Sequence, residues 1–350
     1  MPAERCGRRR RARQFHTAPD PRNARPRTDF RRGPRLVFAG ALLAIAGAPA
    51  IALACSSCGC TLSSDWSSQG LQPAGGGFRT DVRFDYFNQD QLRSGTKQVN
   101  RGSLDVPNEQ EIQQTTINRN YALGFDYSPD VDWGVNLQIP YFNRYHTTIA
   151  AGDIEISTSH TQSIGDVRLV GRYLGFTEDH SIGAQLGVKL ATGSFDNNFI
   201  AGPQAGELLD RGLQPGTGTT DLLVGAFTFG ALNRDWDYFG EGILQQPLNS
   251  RAGFRPGTGF NLNAGFRYVG FERVIPSLQI NARVEGREAG PNADIANSGA
   301  TVVYASPGLN VELVDHLHAY LYAQVPVYQR VNGLQLEPRY TVSLGIYYTM

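Results

Sequence analysis

The sequence predicts an all-β fold, a transmembrane antiparallel up-and-down β-barrel of about twelve strands. Three observations lead there. In segment after segment, apolar residues recur at every second position against small, polar or charged ones, the period of a strand with one apolar face. The connections between these segments alternate between short and long, as in a barrel with short turns at one rim and long loops at the other. Mean hydropathy is −0.31, too polar for membrane helices but compatible with strands that are only half apolar.

The chain has 350 residues, with 32 basic and 32 acidic groups. That balance is uneven along its length. Residues 1–54 hold twelve arginines and three acids (Glu4, Asp20 and Asp29), which leaves 20 basic and 29 acidic groups beyond them. The remainder is acidic, with Lys97 and Lys189 its only lysines, so nucleic acid is excluded as a partner. Residues 36–54 form an apolar run that follows an Arg cluster and ends in Ala52-Leu53-Ala54. A basic flank, an apolar core and small residues before a cut predict a secretory signal peptide, cleaved between Ala54 and Cys55. The run is long enough to anchor in a membrane, but Gly47 and Pro49 weaken a spanning helix. The expected organisation is an Arg-rich leader and signal peptide over 1–54, a Cys-containing periplasmic tether over 55–77 and the barrel over 78–350.

Directly after the expected cut comes Cys55-Ser-Ser-Cys58-Gly-Cys60. Four readings are open. Cys55 follows a loose lipoprotein signal, although Ala52 stands where Leu is usual. Closely spaced thiolates suit Cu(I), or Zn²⁺ with a further ligand, which makes Cys55, Cys58 and Cys60 a candidate metal site. Cys55 and Cys58 suit a redox pair or a plain disulfide, whereas one between Cys58 and Cys60, across a single Gly, would be strained. The last reading is an inert oxidised tail. No other cofactor is expected.

Strands follow in order. Phe78, Thr80, Val82, Phe84 and Tyr86 alternate with Arg79, Asp81, Arg83 and Asp85. Ile117 to Tyr127 and Trp133 to Tyr141 repeat the beat around a turn at Ser128-Pro129-Asp130. Val167 to Tyr173 carries Arg168 and Arg172 on its polar face beside Asp166, and Ile182 to Leu190 carries Gln185 and Lys189. Leu223 to Phe229 and a Gly-rich segment with Trp236, Tyr238, Glu241 and Leu244 come next. Phe260 to Tyr268 presents Arg267, Leu278 to Val284 presents Arg283 and Glu285, and Val303 to Leu313 presents Glu312. Leu317 to Val327 and Tyr340 to Met350 complete the set.

Short connections are read near 128–132, 175–180, 233–235, 270–273 and 314–316, and long ones near 88–114, 146–162, 193–219, 246–258, 287–300 and 329–338. Short turns are periplasmic in such barrels, which puts both ends of the barrel, and the cysteines, on the periplasmic side. Tyr127, Trp133, Tyr141, Tyr173, Trp236, Tyr268 and Tyr348 lie near strand ends, as interfacial girdles require. The end of the chain, Ser343-x-Gly345-x-x-Tyr348-x-Met350, resembles the C-terminal signal read by the barrel-assembly machinery, with Met where Phe is usual.

A dozen strands enclose a lumen wide enough for a small solute. The expected lining is Arg79, Arg83, Arg168, Arg172, Arg267 and Arg283 facing Asp81, Asp85, Asp166, Glu241, Glu285 and Glu312, either a charged constriction or a rigid paired interior. Catalysis is not expected. Some small barrels are phospholipases, but the His-x-Ser-Asn arrangement they use is absent, and His160, Ser163, Asn297 and Ser298 fall in loops or at strand edges. His316 and His318 share a face without a visible third ligand.

Four stretches, taken together and in order, carry a family resemblance: Leu137-Gln-Ile139-Pro140-Tyr141; Ile164-Gly165-Asp166-Val167-Arg168-Leu169 with Arg172-Tyr173; Gly187-Val-Lys-Leu190-Ala191-Thr192-Gly193; and Gly216-Thr217-Gly218-Thr219-Thr220-Asp221. The set, over about 78–350, resembles the bacterial outer-membrane family labelled as transporters of the phenol meta-cleavage (MetA) degradation pathway, which usually has Pro where Ala191 stands. The resemblance implies a barrel in the outer membrane of a Gram-negative bacterium that passes small, often aromatic or hydrophobic, solutes. The expected function is therefore a porin-like channel in contact with outer-membrane lipids. The alternative is a non-transporting barrel that anchors the Cys55–Cys60 segment as a metal-binding or redox element.

Overall fold

The computed structural model describes residues 76–350. The signal peptide with its cleavage at Ala54 and Cys55, and the cluster of Cys55, Cys58 and Cys60, lie outside the described residues. Thirteen strands make one antiparallel sheet: β1 (Gly77–Gly95), β2 (Lys97–Gln98), β3 (Ile112–Ser128), β4 (Trp133–Ile149), β5 (Ser157–Ile164), β6 (Arg168–Tyr173), β7 (Ile182–Lys189), β8 (Asp221–Ala231), β9 (Trp236–Pro247), β10 (Gly259–Tyr268), β11 (Val274–Glu285), β12 (Ala300–Val314) and β13 (Leu317–Thr349). Among the described residues the only helical elements are two 3-10 turns, Arg101–Ser103 and Arg211–Leu213.

The circuit runs β1-β3-β4-β6-β7-β8-β9-β10-β11-β12-β13 and closes where β13 pairs with β1, from Arg79 opposite Thr349 to Gly95 opposite Val331. Closure matters physically. It leaves no edge whose N–H and C=O groups would have to be satisfied by solvent. The circuit holds eleven strands rather than the expected twelve, with β2 and β5 outside it. The difference lies in β13. Its first part pairs with β12 and its last part with β1. Its ends also meet, since the Thr349 N–H donates to the His316 carbonyl at 3.0 Å. A 33-residue strand can do this only by doubling back, and it turns at Gly333, whose φ of 53° suits glycine. One strand element thus supplies two passes of the wall.

Polarity is inverted relative to a protein folded in water. Along β1 the side chains of Arg79, Asp81, Arg83 and Asp85 are 7 % exposed or less, while Val82 between them is 46 % exposed. The same inversion sets exposed Leu186 against buried Gln185 on β7 and exposed Ile280 against buried Asn281 on β11. A continuous apolar exterior of this extent fits hydrocarbon, not water. Aromatic pairs mark one rim of it: Trp133 packs at a tilt on Tyr173 at 4.6 Å, and Trp236 meets Tyr268 at 5.2 Å. A second set, with Tyr121 6.3 Å from Tyr141, stands further up the wall. Trp133 to Tyr141 is about the 9–11 residues that a tilted strand needs to cross a bilayer.

Three long connections are shorter than the sequence suggests, because strands continue into them. β1 runs on to Gly95, β4 to Ile149, and β13 passes through 329–338. β5 begins inside the expected loop 146–162 and runs on to Ile164. Its sequence, Ser-Thr-Ser-His-Thr-Gln-Ser-Ile, is polar on both faces, so no apolar period announces it. These extensions pack on a small core of Leu92, Ile112, Leu334 and Leu336, on the side of the long loops.

Candidate functional site

The lumen is built at two levels, and the connection 190–220 forms one of them. This segment folds inward: Leu209, Arg211, Leu213 and Thr219 are all buried. What holds it is a knot made from all four sequence stretches that carry the family resemblance. The Gly165 N–H donates to the Pro140 carbonyl at 2.8 Å. Thr192 Oγ1 donates to the Gly165 carbonyl and accepts from the Val167 N–H, both at 2.9 Å. Asp166 Oδ1 accepts from the Gly193 N–H at 3.0 Å. Asp166 Oδ2 accepts from Lys189 Nζ at 2.8 Å, the Thr217 N–H at 2.9 Å and the Thr217 hydroxyl at 2.8 Å. Lys189 also pairs with Asp221 at 3.2 Å and touches Thr217 Oγ1. Backbones approach so closely that a Cβ on Gly216 would overlap the Gly193 carbonyl. The pattern of Gly, Thr and Asp encodes this anchor. Small residues permit the approach, and hydroxyls and one carboxylate satisfy the backbone that turns inward.

The remainder of the segment is pinned from the wall and by rings. Arg144 on β4 donates Nη1 to the Leu213 carbonyl at 2.8 Å and Nε to Asn118 Oδ1 at 2.7 Å. Arg211 lies between the rings of Phe195 at 4.6 Å and Phe254 at 4.8 Å, and donates to the Thr217 carbonyl at 2.8 Å. Asp210 caps the 3-10 turn by accepting from the Gly212 N–H at 2.7 Å. Burial pushes the Asp210 carboxyl up to about 7, and the nearby Glu111 pushes in the same direction.

Toward the short turns, the interior is closed by paired polar side chains. Arg172 reaches across to β3 and holds Asp126 with both terminal nitrogens, Nη2 lying 2.6 Å from Oδ1. Tyr320 donates to Asp81 at 2.9 Å, and the Arg79 guanidinium lies 4.8 Å over the Tyr347 ring. Glu241 accepts from Gln185 at 3.0 Å and Asn263 at 3.1 Å, and Asn281 carries the chain of bonds on to Ser306. Arg267 stands over Phe239 at 5.4 Å.

Between this level and the inward segment lies a cavity of about 270 Å³. Of the residues expected to line the lumen, Arg83, Asp85, Asp166, Arg168, Arg283 and Glu285 surround it. Arg79, Asp81, Arg172, Glu241 and Arg267 are buried elsewhere in the interior, and Glu312 is half-buried near the rim, opposite His318. Asp166 borders the cavity with both oxygens already engaged by the knot. The cavity also draws on residues that the alternation did not bring forward. Arg144 lies past Tyr141, where the expected strand stops, and Arg211 and Glu288 sit in connections without period. Arg144 was legible in principle, as Asn143-Arg144-Tyr145-His146 continues the β4 alternation.

Elsewhere, the residues weighed for hydrolysis, His160 and Ser163, bond to other partners. Ser163 Oγ donates to the Ile164 carbonyl, and His160 Nε2 pairs with Asn143 Oδ1 at 3.0 Å. Among the described residues no group of three or more His, Cys, Asp or Glu side chains is placed to hold a metal ion. Ser343, of the expected assembly signal, is buried on the lumen face, and Tyr348 and Met350 face outward.

No family model matches the chain, and no curated protein matches it in sequence. Among solved structures, an outer membrane channel from Pseudomonas putida F1 is similar at a TM-score of 0.60 with 11 % identity, over 83 % of this chain and 99 % of that one. The translocator domain of the autotransporter NalP from Neisseria meningitidis follows at a TM-score of 0.44, 10 % identity, 80 % of this chain and 90 % of that one. The NanC porin has a TM-score of 0.42 at 9 % identity, over 77 % of this chain and all 100 % of that one. The first of these likenesses places the chain among barrels with the fold of outer-membrane channels.

Proposed function

We propose that this protein is an outer-membrane channel for small solutes, with the short turns and both ends of the barrel on the periplasmic side and the inward segment 190–220 narrowing the path from outside. The observation that carries this reading is a closed barrel with an apolar exterior, whose interior holds a cavity of about 270 Å³ lined by charged and aromatic side chains. Such a volume takes one small molecule at a time. Phe87, Phe142 and Phe254 on its wall suit a solute with an aromatic or apolar body, the class that the sequence resemblance implies. The role of the lumenal charges is to orient and screen the solute, and that of Asp166 is to hold the segment that shapes the path.

The test is single-channel recording of the refolded chain, lacking residues 1–54, in planar bilayers. Ohmic steps of small, uniform size are expected. A correctly folded barrel, verified by its heat-dependent mobility on gels, that carries no current and does not swell liposomes would refute the channel reading.

A further inference from the structure

The cavity is more basic than the chain that encloses it. Six cationic and four acidic side chains line it, in a protein whose residues beyond 54 carry a net excess of acids. The acids are mostly taken. Asp85 pairs with Arg83 at 3.0 Å, Glu285 with Arg283 at 2.7 Å, and Asp166 with Lys189 and the loop backbone. Arg168 differs from the other cations. Among the described residues its side chain makes one hydrogen bond, Nη2 to Gln245 Oε1 at 3.1 Å, and no ion pair. Two acids near it, Asp221 and Asp166, already hold Lys189. Arg283 and Arg83 lie near it as well and line the same cavity.

These three arginines come from well-separated parts of the wall. In the circuit β1 and β6 are separated by β3 and β4, and β6 and β11 by β7, β8, β9 and β10. Arg83, Arg168 and Arg283 therefore converge on one space from three sides. Cations held in mutual repulsion lower their energy when an anion enters between them, and the planar guanidinium fork matches a carboxylate in two-point contact. Charges inside the barrel are screened less than charges in bulk water.

We infer that Arg168, flanked by Arg283 and Arg83, forms an anion site in the lumen that receives the carboxylate of a small solute whose apolar body lies against the aromatic wall of the cavity. This site deepens the channel reading and rests on it for its physiological meaning. It makes the favoured solute an aromatic or aliphatic carboxylate rather than its neutral counterpart.

Calorimetric titration of the folded barrel in detergent tests the site, with benzoate as probe and benzyl alcohol as the uncharged analogue of similar size. Benzoate should bind and benzyl alcohol should not; Arg168→Gln should abolish benzoate binding and Arg168→Lys should retain part of it. Gel mobility shows whether each variant folds. Should Arg168→Gln fail to fold, Arg168→Lys decides the matter: affinity weakened about tenfold, as loss of the two-point contact predicts, supports the site. Absence of benzoate binding in the wild type, equal binding of the neutral analogue, or binding unchanged by substitution of Arg168 overturns the inference. A barrel that binds benzoate through Arg168 and carries no current keeps the site and loses the channel reading; current without benzoate binding does the reverse.

Discussion

The two levels of the lumen use the same side-chain chemistry to opposite ends. On the turn side, Arg172 and Asp126 meet from strands two places apart in the circuit and satisfy each other. The result is a braced wall. On the loop side, Asp166 and Lys189 also pair, but their remaining valences go to the backbone and hydroxyls of 192–217, so the pair holds a segment inside the barrel. An ion pair buried in a barrel can therefore be a strut or a clasp, and the difference lies in what else its oxygens accept.

Substituting the two acids separates these roles. Asp166→Ala leaves Lys189 with Asp221 as its one remaining carboxylate and the Gly193 and Thr217 N–H groups without their acceptor, and should cost about 3–5 kcal/mol of stability, as removal of one partner of a buried pair does. It should also raise single-channel conductance as the inward segment is released. Asp126→Ala removes the two-point carboxylate partner of Arg172 and should cost a similar amount in denaturant unfolding, with conductance little changed. Equal conductance changes in the two variants would erase the distinction between strut and clasp.

A smaller effect is expected at the closest approach in the knot. Gly216→Ala places a methyl group on the Gly193 carbonyl and should destabilise by about 1–3 kcal/mol, the range for overpacking. Conductance noise should increase as the segment loosens. The effect confined to a pH interval is the response of Asp210, which faces Glu111, Asp294 and Arg211. Its carboxyl titrates at about 7 in the packed segment, against about 3.9 in an unfolded chain. Protonation therefore favours the packed state. That contribution is full below about pH 4 and is lost as the pH rises to about 7. Conductance should rise over this interval, and Asp210→Asn, which still caps the turn and stays neutral, should hold the low-pH value throughout.

How much of this was legible in the chain depends on whether the signal is periodic. β1 could be read from Phe78 to Tyr86 because lipid and lumen impose opposite chemistry on successive residues, and the same held wherever both environments act. Past the apolar belt that contrast ends. There β5 is polar on both faces, and β13 continues through a stretch that reads as a loop. The lumenal charges on strands were legible for the same reason as the strands themselves. Arg211, Glu288 and the inward path of 190–220 were not, since no period governs a loop, although Gly216-Thr217-Gly218-Thr219-Thr220-Asp221 stood out by composition.

By itself, the sequence determined the all-β class and the two-faced character of most strands, because both follow from chemistry repeated along a strand. Only the tertiary structure decided that four short stretches, far apart in the chain, tie one knot around Asp166. It alone showed that Arg83, Arg168 and Arg283 share a cavity while Arg79, Arg172 and Arg267 do not. Those facts depend on which strands face each other across the lumen and at what height, and a period of two carries no information about either.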